Sequence, residues 1–233
     1  MPPARSSTPR ASIAPLLHES LGERVYGTVR DLILSQVFPP GSKLNVERIC
    51  RDLGVSRTPV WDTMRRLESE GLVNTVPRHG VFVLNYGVDQ IRDLFAVRGA
   101  LEALAVRQAA QNLDVEARAG LEETMKDMER AAAAGLMEQY SRSAIEFHDR
   151  VLAAAQNQVL SRLLENVYAQ ILVLRLRSLY LPERVESSVA EHRELFEAVR
   201  AGDAERGERL ARAHADHVLQ DALAFTRRAE QDR

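Results

Sequence analysis

Three histidines fall where an imidazole has little reason to be unless it does something. His148 lies in an apolar stripe with Ala144, Ile145, Val151, Leu152 and Ala155. His192 keeps company with Leu195, Phe196 and Val199, and His214 with Leu210, Ala211 and Val218. An inward polar ring needs a partner, and a single one is usually satisfied by a hydrogen bond. Three on three helical stretches ask for a shared one. His192 stands ten residues before Gly202 and His214 twelve after it. In a helical hairpin turning near Asp203, both lie roughly 16 Å from the turn at about 1.5 Å per residue. Two imidazoles facing each other at one depth suit a shared divalent metal: zinc, nickel or manganese. The same geometry without metal is a polar cavity whose histidines meet a ligand directly. His217 and Asp221 fall on the inner side of the same last helix, placed to assist a ligand or stand behind the first three.

Arg98 falls within the stripe of Ile91, Leu94, Phe95, Leu101 and Ala105. A buried guanidinium needs an anion. Glu102, one turn on, is one partner; the carboxylate of a bound effector is the other. Arg175 lies nearer than Arg177 to the apolar face of its helix and is placed to assist.

A second chemistry is written in VSRTPVWDTMRRLESEG, residues 55–71. With Val60, Met64 and Leu67 inward, Thr58, Trp61, Asp62 and Arg65 take the edge or the opposite face, and Arg57 the N-terminus. Arginines there reach phosphates or guanine edges, and first-turn N–H groups suit a phosphate. The turn holding Arg78, His79 and Gly80 is small and basic, as close approach to a nucleic-acid backbone requires.

These residues need elements to hold them. Leu21, Val25, Val29, Leu32 and Ile33 predict a helix stopped by FPPG at 38–41. Asn45 caps a second helix that Gly54 ends, and Ser56 caps a third that Gly71 closes. Two β-prone runs follow, Leu72–Val76 and Gly80–Leu84. Helix, helix-turn-helix and hairpin make a winged helix-turn-helix. From residue 88, six helices are expected near 88–111, 114–134, 136–155, 157–180, 183–200 and 203–229, joined by short breaks into an antiparallel bundle. The fold class is therefore mainly α. We expect a disordered arm over 1–18, a DNA-binding domain over 19–85 and an effector and dimerisation domain over 88–230.

Composition agrees. Of 233 residues, 27% are charged and 45% hydrophobic, ordinary for a soluble protein. No apolar run is long enough to span a bilayer, and the N-terminal stretch has no secretory core. Cys50 is the only cysteine, so the expected home is the reducing cytoplasm. Residues 1–84 carry 11 Lys or Arg against 8 Asp or Glu; residues 85–233 carry 20 against 25. A basic front and an acidic rear fit a nucleic-acid module joined to something else.

LNVERICRDLGVSRTPVWDTMRRLESEGLVNTVPRHGVFV resembles the DNA-binding domain of the GntR family of bacterial transcription regulators. The resemblance runs without a gap from about residue 21 to 84. It implies base or phosphate contacts from Arg57 and Thr58 and from His79 and Gly80 at the wing tip. Two positions depart from the family pattern. Glu47 stands where the family usually has arginine, which leaves that contact to Arg48 beside it. SRTPVWD stands for SRTPVRE, so Trp61 replaces a guanine reader. Trp61 either packs against the first helix or the bundle, or touches a thymine methyl or sugar; loss of DNA binding is the third option. EFHDRV, AEHRELFEAVRAGD and ARAHADHVL, with their 44- and 22-residue spacings, resemble the FCD effector domain, in its six-helix VanR-type branch. The resemblance implies a metal held by His148, His192 and His214, with an Asp four residues before the first. Here that position is Ala144, which cannot ligate.

The expected function is a ligand-responsive transcription regulator, a repressor in the commoner family mode, and not an enzyme. Its partners are a palindromic double-stranded operator, a small carboxylic or sugar acid, and a second copy of itself, with no membrane. A metal-dependent enzyme on the three histidines, and a DNA-binding module whose bundle only dimerises, are the alternatives.

Overall fold

The structure, a computed structural model, describes residues 20–174 and 182–231. The expected arm over 1–18 and Arg175 lie outside the described residues. The chain begins with α1 (Leu21–Leu34), whose Ser20 cap accepts from the Glu23 amide. A short strand β1 (Lys43–Leu44) precedes α2 (Val46–Leu53), capped by Asn45 and ended by Gly54 at φ 65°. Next comes α3 (Arg57–Ser69). Ser56 occupies its N-cap position, but its side chain makes no capping bond, contrary to expectation. Gly71, at φ 72°, turns the chain out of α3 into β2 (Val73–Val76) and β3 (Gly80–Val83). The strands pair antiparallel, Val73 opposite Val83 and Val76 opposite Gly80. β1 adds to the outer edge of β3, giving the order β1-β3-β2. A two-residue strand carries no periodicity, and β1 is not legible in the sequence.

The second part is helical: α4 (Val88–Asn112), α5 (Val115–Ala133), α6 (Met137–Ala154), α7 (Gln158–Leu174), α8 (Pro182–Arg200) and α9 (Ala204–Gln231). These are the six expected helices, shifted by a residue or two at most ends. Where α7 was expected to run on to residue 180, the last residues lie outside the described ones. Residues of α4, α5, α6, α7, α8 and α9 share one apolar core, with Leu121, Met128, Phe147, Leu164 and Leu195 fully buried in it. Gly99 on α4 lets α9 approach closely: a Cβ there would sit 3.3 Å from the Ala215 Cβ.

The winged-helix core gathers Val29 and Ile33 of α1, Val60, Met64 and Leu67 of α3, and Val81 and Val83 of β3. It also takes Ala169 and Val173 from α7. Polar bonds reinforce this join. Gln170 accepts from the Tyr86 hydroxyl at 3.0 Å and donates to the Glu70 carbonyl at 3.0 Å. Gln36 donates to the Val173 carbonyl, also at 3.0 Å. Helix α7 is thus common to both cores. Among the described residues, no helix is long and apolar enough to cross a membrane.

Candidate effector site and nucleic-acid interface

His148 of α6, His192 of α8 and His214 of α9 converge, with one nitrogen from each within 4.8 Å of the others. Each ring is set by what its Nδ1 faces. His192 Nδ1 lies 2.7 Å from the Ser188 carbonyl and so donates to it, leaving Nε2 as a lone-pair nitrogen. His214 Nδ1 lies 2.7 Å from a carboxylate oxygen of Glu191. His148 Nδ1 points towards Glu102 at 3.8 Å, too far for a bond. The two Nε2 atoms of His148 and His192 then meet at 3.2 Å. Two lone pairs cannot face each other at that distance. Either a proton on His148 Nε2 or a metal ion lies between them. Nitrogens sharing one tetrahedral zinc sit roughly 3.3 Å apart, so the residues present fit a metal. Burial, against the opposing charge of Glu102, lowers the pKa of His148 to about 3, and burial with the charges of His214 and His148 holds His192 well below the usual imidazole range. Both are neutral at pH 7, as ligation requires.

Around the histidines runs a charged belt that sequence reasoning saw only in part. Arg98 and Glu102, both nearly inaccessible, pair at 2.9 Å, and the Tyr168 hydroxyl donates to the same Glu102 oxygen. Burial works against the Glu102 carboxylate, but Arg98, followed by His148 and His214, outweighs it and lowers the pKa to about 2. Glu191, adjacent to His192 in sequence, takes His214 on one oxygen and His217 on the other, and Arg184 binds both. Burial opposes its charge, yet the His214 and Arg184 bonds hold it well below the ordinary carboxylate range. The signal for Glu191 was present in its spacing from Arg184, seven residues back on one helix face, but it needs the fold to be read. His217, expected inside, is 59% exposed and touches Glu191 from the solvent side. Asp221 is taken by Arg184 and does not join the histidines.

The histidines, Arg98 and Ala144 line a cavity of about 440 Å³, within the size range of small-molecule sites. Tyr140, Tyr168, Ile171 and Leu172 supply much of its apolar wall. Arg30 and Leu34 of α1 complete it, so the cavity opens onto the winged helix. Neither residue was singled out from the sequence, because nothing local marks a residue that faces another domain.

The second surface is exposed at every candidate residue but Gly80, which is half-buried. Arg57, Thr58, Trp61 and Arg65 of α3, Arg48 of α2, and Arg78 and His79 at the wing tip all face solvent. Trp61 is 39% exposed and belongs to neither core, so internal packing does not explain it. Each helical arginine is held by a carboxylate: Arg48 by Asp52 at 3.3 Å, Arg57 by Glu47 at 2.6 Å, Arg65 by Asp62 at 2.8 Å. Arg78 sits at φ 66°, a left-handed conformation that costs a non-glycine residue about 1 kcal/mol. At Gly80 a Cβ would meet the Lys43 side chain at 2.9 Å, which places a further lysine beside the wing.

The chain matches the FCD domain over residues 93–217 and the bacterial regulatory proteins of the gntR family over residues 21–83. It is 28% identical over 193 residues to the HTH-type transcriptional regulator YdhC of Bacillus subtilis, spanning 82% of this chain and 86% of that one. To the HTH-type transcriptional repressor RspR of Escherichia coli it is 22% identical over 200 residues, 86% of this chain and 88% of that one. Its fold is similar to that of E. coli McbR/YncC, with a TM-score of 0.70 at 22% identity, covering 91% and 100% of the two chains. With a winged helix ahead of a helical domain that encloses a cavity, the chain belongs to the FCD-domain family and carries at its front the DNA-binding domain of the bacterial regulatory proteins of the gntR family, as a DNA-binding transcriptional regulator and not an enzyme.

Proposed function

We propose that this regulator senses a small carboxylic or sugar acid in the bundle cavity, with a divalent metal on His148, His192 and His214, and transmits its binding to the winged helix. The observation that carries the reading is the convergence of three imidazoles beside Arg98 in a cavity that α1 helps to close. A metal there would be held by the three imidazoles, since Ala144 cannot ligate, and would supply Lewis acidity towards the ligand's acid group. Arg98 keeps Glu102 as its internal anion and turns the rest of its guanidinium to the acid.

On the DNA side, Arg48, Arg57, Thr58, Trp61 and Arg65 meet the major groove, and Arg78, His79 and Gly80 the adjoining backbone. Because the phosphates outcompete exposed carboxylates for the arginines, the three surface ion pairs open at little cost. One small reading module per chain favours a homodimer on a two-fold operator. RspR, a relative, is named a repressor, and repression is the mode proposed here.

A thermal-shift screen of carboxylic and sugar acids, with and without zinc or nickel, tests the reading. An acid that raises the melting temperature only when metal is present, and fails with Arg98→Ala, is the expected result. No response to any metal or acid overturns it.

A further inference from the structure

We infer that the effector is held by both domains at once, with Arg30 of α1 binding a second anionic group, so that the preferred ligand is a two-ended acid. The inference rests on the acid-sensing reading and adds the ligand's other end. Arg30 follows the fully buried Val29 on α1 and lines the cavity with Leu34. It is half-buried, and no hydrogen bond or ion pair engages it among the described residues. Among the described residues the other arginines that are not exposed are all paired: Arg98 with Glu102, Arg107 with Glu208, Arg150 with Glu146 and Arg184 with Glu191. A guanidinium that has given up part of its water without gaining an anion is a site for one supplied from the cavity.

Helix α7 shows how one molecule spans the distance. Its Tyr168 ring lies 6.2 Å from that of His148, while the next residue, Ala169, belongs to the winged-helix core. The histidine end and the α1 end are therefore served by neighbouring residues. Asp149 and Glu165 also line the cavity. Both are solvent-exposed, and their carboxylates repel any further anionic group on the ligand while suiting hydroxyl donors. The chemistry selected is an acid group at each end with a neutral or hydroxylated middle.

Such a ligand would act on the reading head directly. α1 grips α3 through Arg66–Glu23 and through the Tyr26 hydroxyl on Glu70, at 2.8–3.0 Å. An acid with one charged end fills the bundle side only and leaves α1 unengaged.

Four six-carbon acids separate the terms: hexanoate, gluconate, adipate and glucarate, each titrated calorimetrically into the full chain with and without zinc. The diacids should bind about tenfold tighter than the monoacids of matching hydroxylation. Arg30→Gln should erase that difference while leaving monoacid binding intact, and Arg30→Lys should keep part of it. If Arg30→Gln does not fold, Leu34→Phe, which narrows the same end, should lower diacid binding selectively. Equal binding of mono- and diacids, or equal weakening of both by Arg30→Gln, overturns this inference and leaves acid sensing standing. No binding by any of the four, with or without zinc, overturns the two-ended ligand, whereas acid sensing falls only with the wider screen.

Discussion

Glu47 is the residue most at odds with a DNA-reading surface, and its contact explains its presence. It holds the Arg57 guanidinium at 2.6 Å across the helix-turn-helix, with both side chains largely exposed. Exposed pairs contribute well under about 1 kcal/mol, so Glu47→Gln should leave stability unchanged. Duplex affinity should rise, and the log–log salt slope should steepen by about 0.9, as one arginine is released to phosphate. A fall in affinity confined to particular sequences would instead make Glu47 a reader of a cytosine amino group. Arg78 presents the opposite trade. Arg78→Gly relieves its left-handed backbone and should stabilise by about 0.5–1 kcal/mol in urea denaturation while weakening DNA binding. Deeper in, Arg98→Met strands the buried Glu102 and should cost about 3–5 kcal/mol; adding Glu102→Leu should recover much of it. Equal stability of the single and double variants would mean that the pair is not what secures this site.

At the scale of elements, how much the sequence reveals depends on how local the cause is. Helices with long apolar stripes, caps at Asn45 and breaks at Gly135 and Gly202 are written locally, and they appear where expected. The same holds for the inward direction of His192 and His214, since each shares its stripe with leucine and valine. What was not legible depends on the neighbour. His217 falls near the inner arc of α9, yet Glu191 draws it to the solvent side. β1 exists only because β3 offers an edge, and Arg30 matters only because α7 brings the bundle to it. The contact between Gly71 and Gln170 shows this dependence energetically. A Cβ at Gly71 would lie 2.6 Å from Gln170 Nε2 and also be strained at φ 72°. Gly71→Ala should therefore destabilise by about 1–2 kcal/mol. In a double-mutant cycle with Gln170→Ala, a coupling of at least about 0.5 kcal/mol is expected. Additivity would show that the strut bears no load.

At the scale of the molecule, a basic front and an acidic rear put long-range attraction for DNA on one part and deny it to the other. Duplex binding should accordingly weaken steeply with salt, and His192→Ala should leave that slope unchanged, as anisotropy at several ionic strengths would reveal. A helical part that follows a reading head along the chain invites exchange as a cartridge. Helix α7 forbids a clean exchange here. The reader's own interior is finished by Ala169 and Val173, which arrive more than eighty residues after its last strand. A chimera cut between residues 84 and 88 would give the reader a stranger's helix to close on. A transplant that works must carry the inward face of α7 with the reader, so the seam between these modules runs through space and not along the chain.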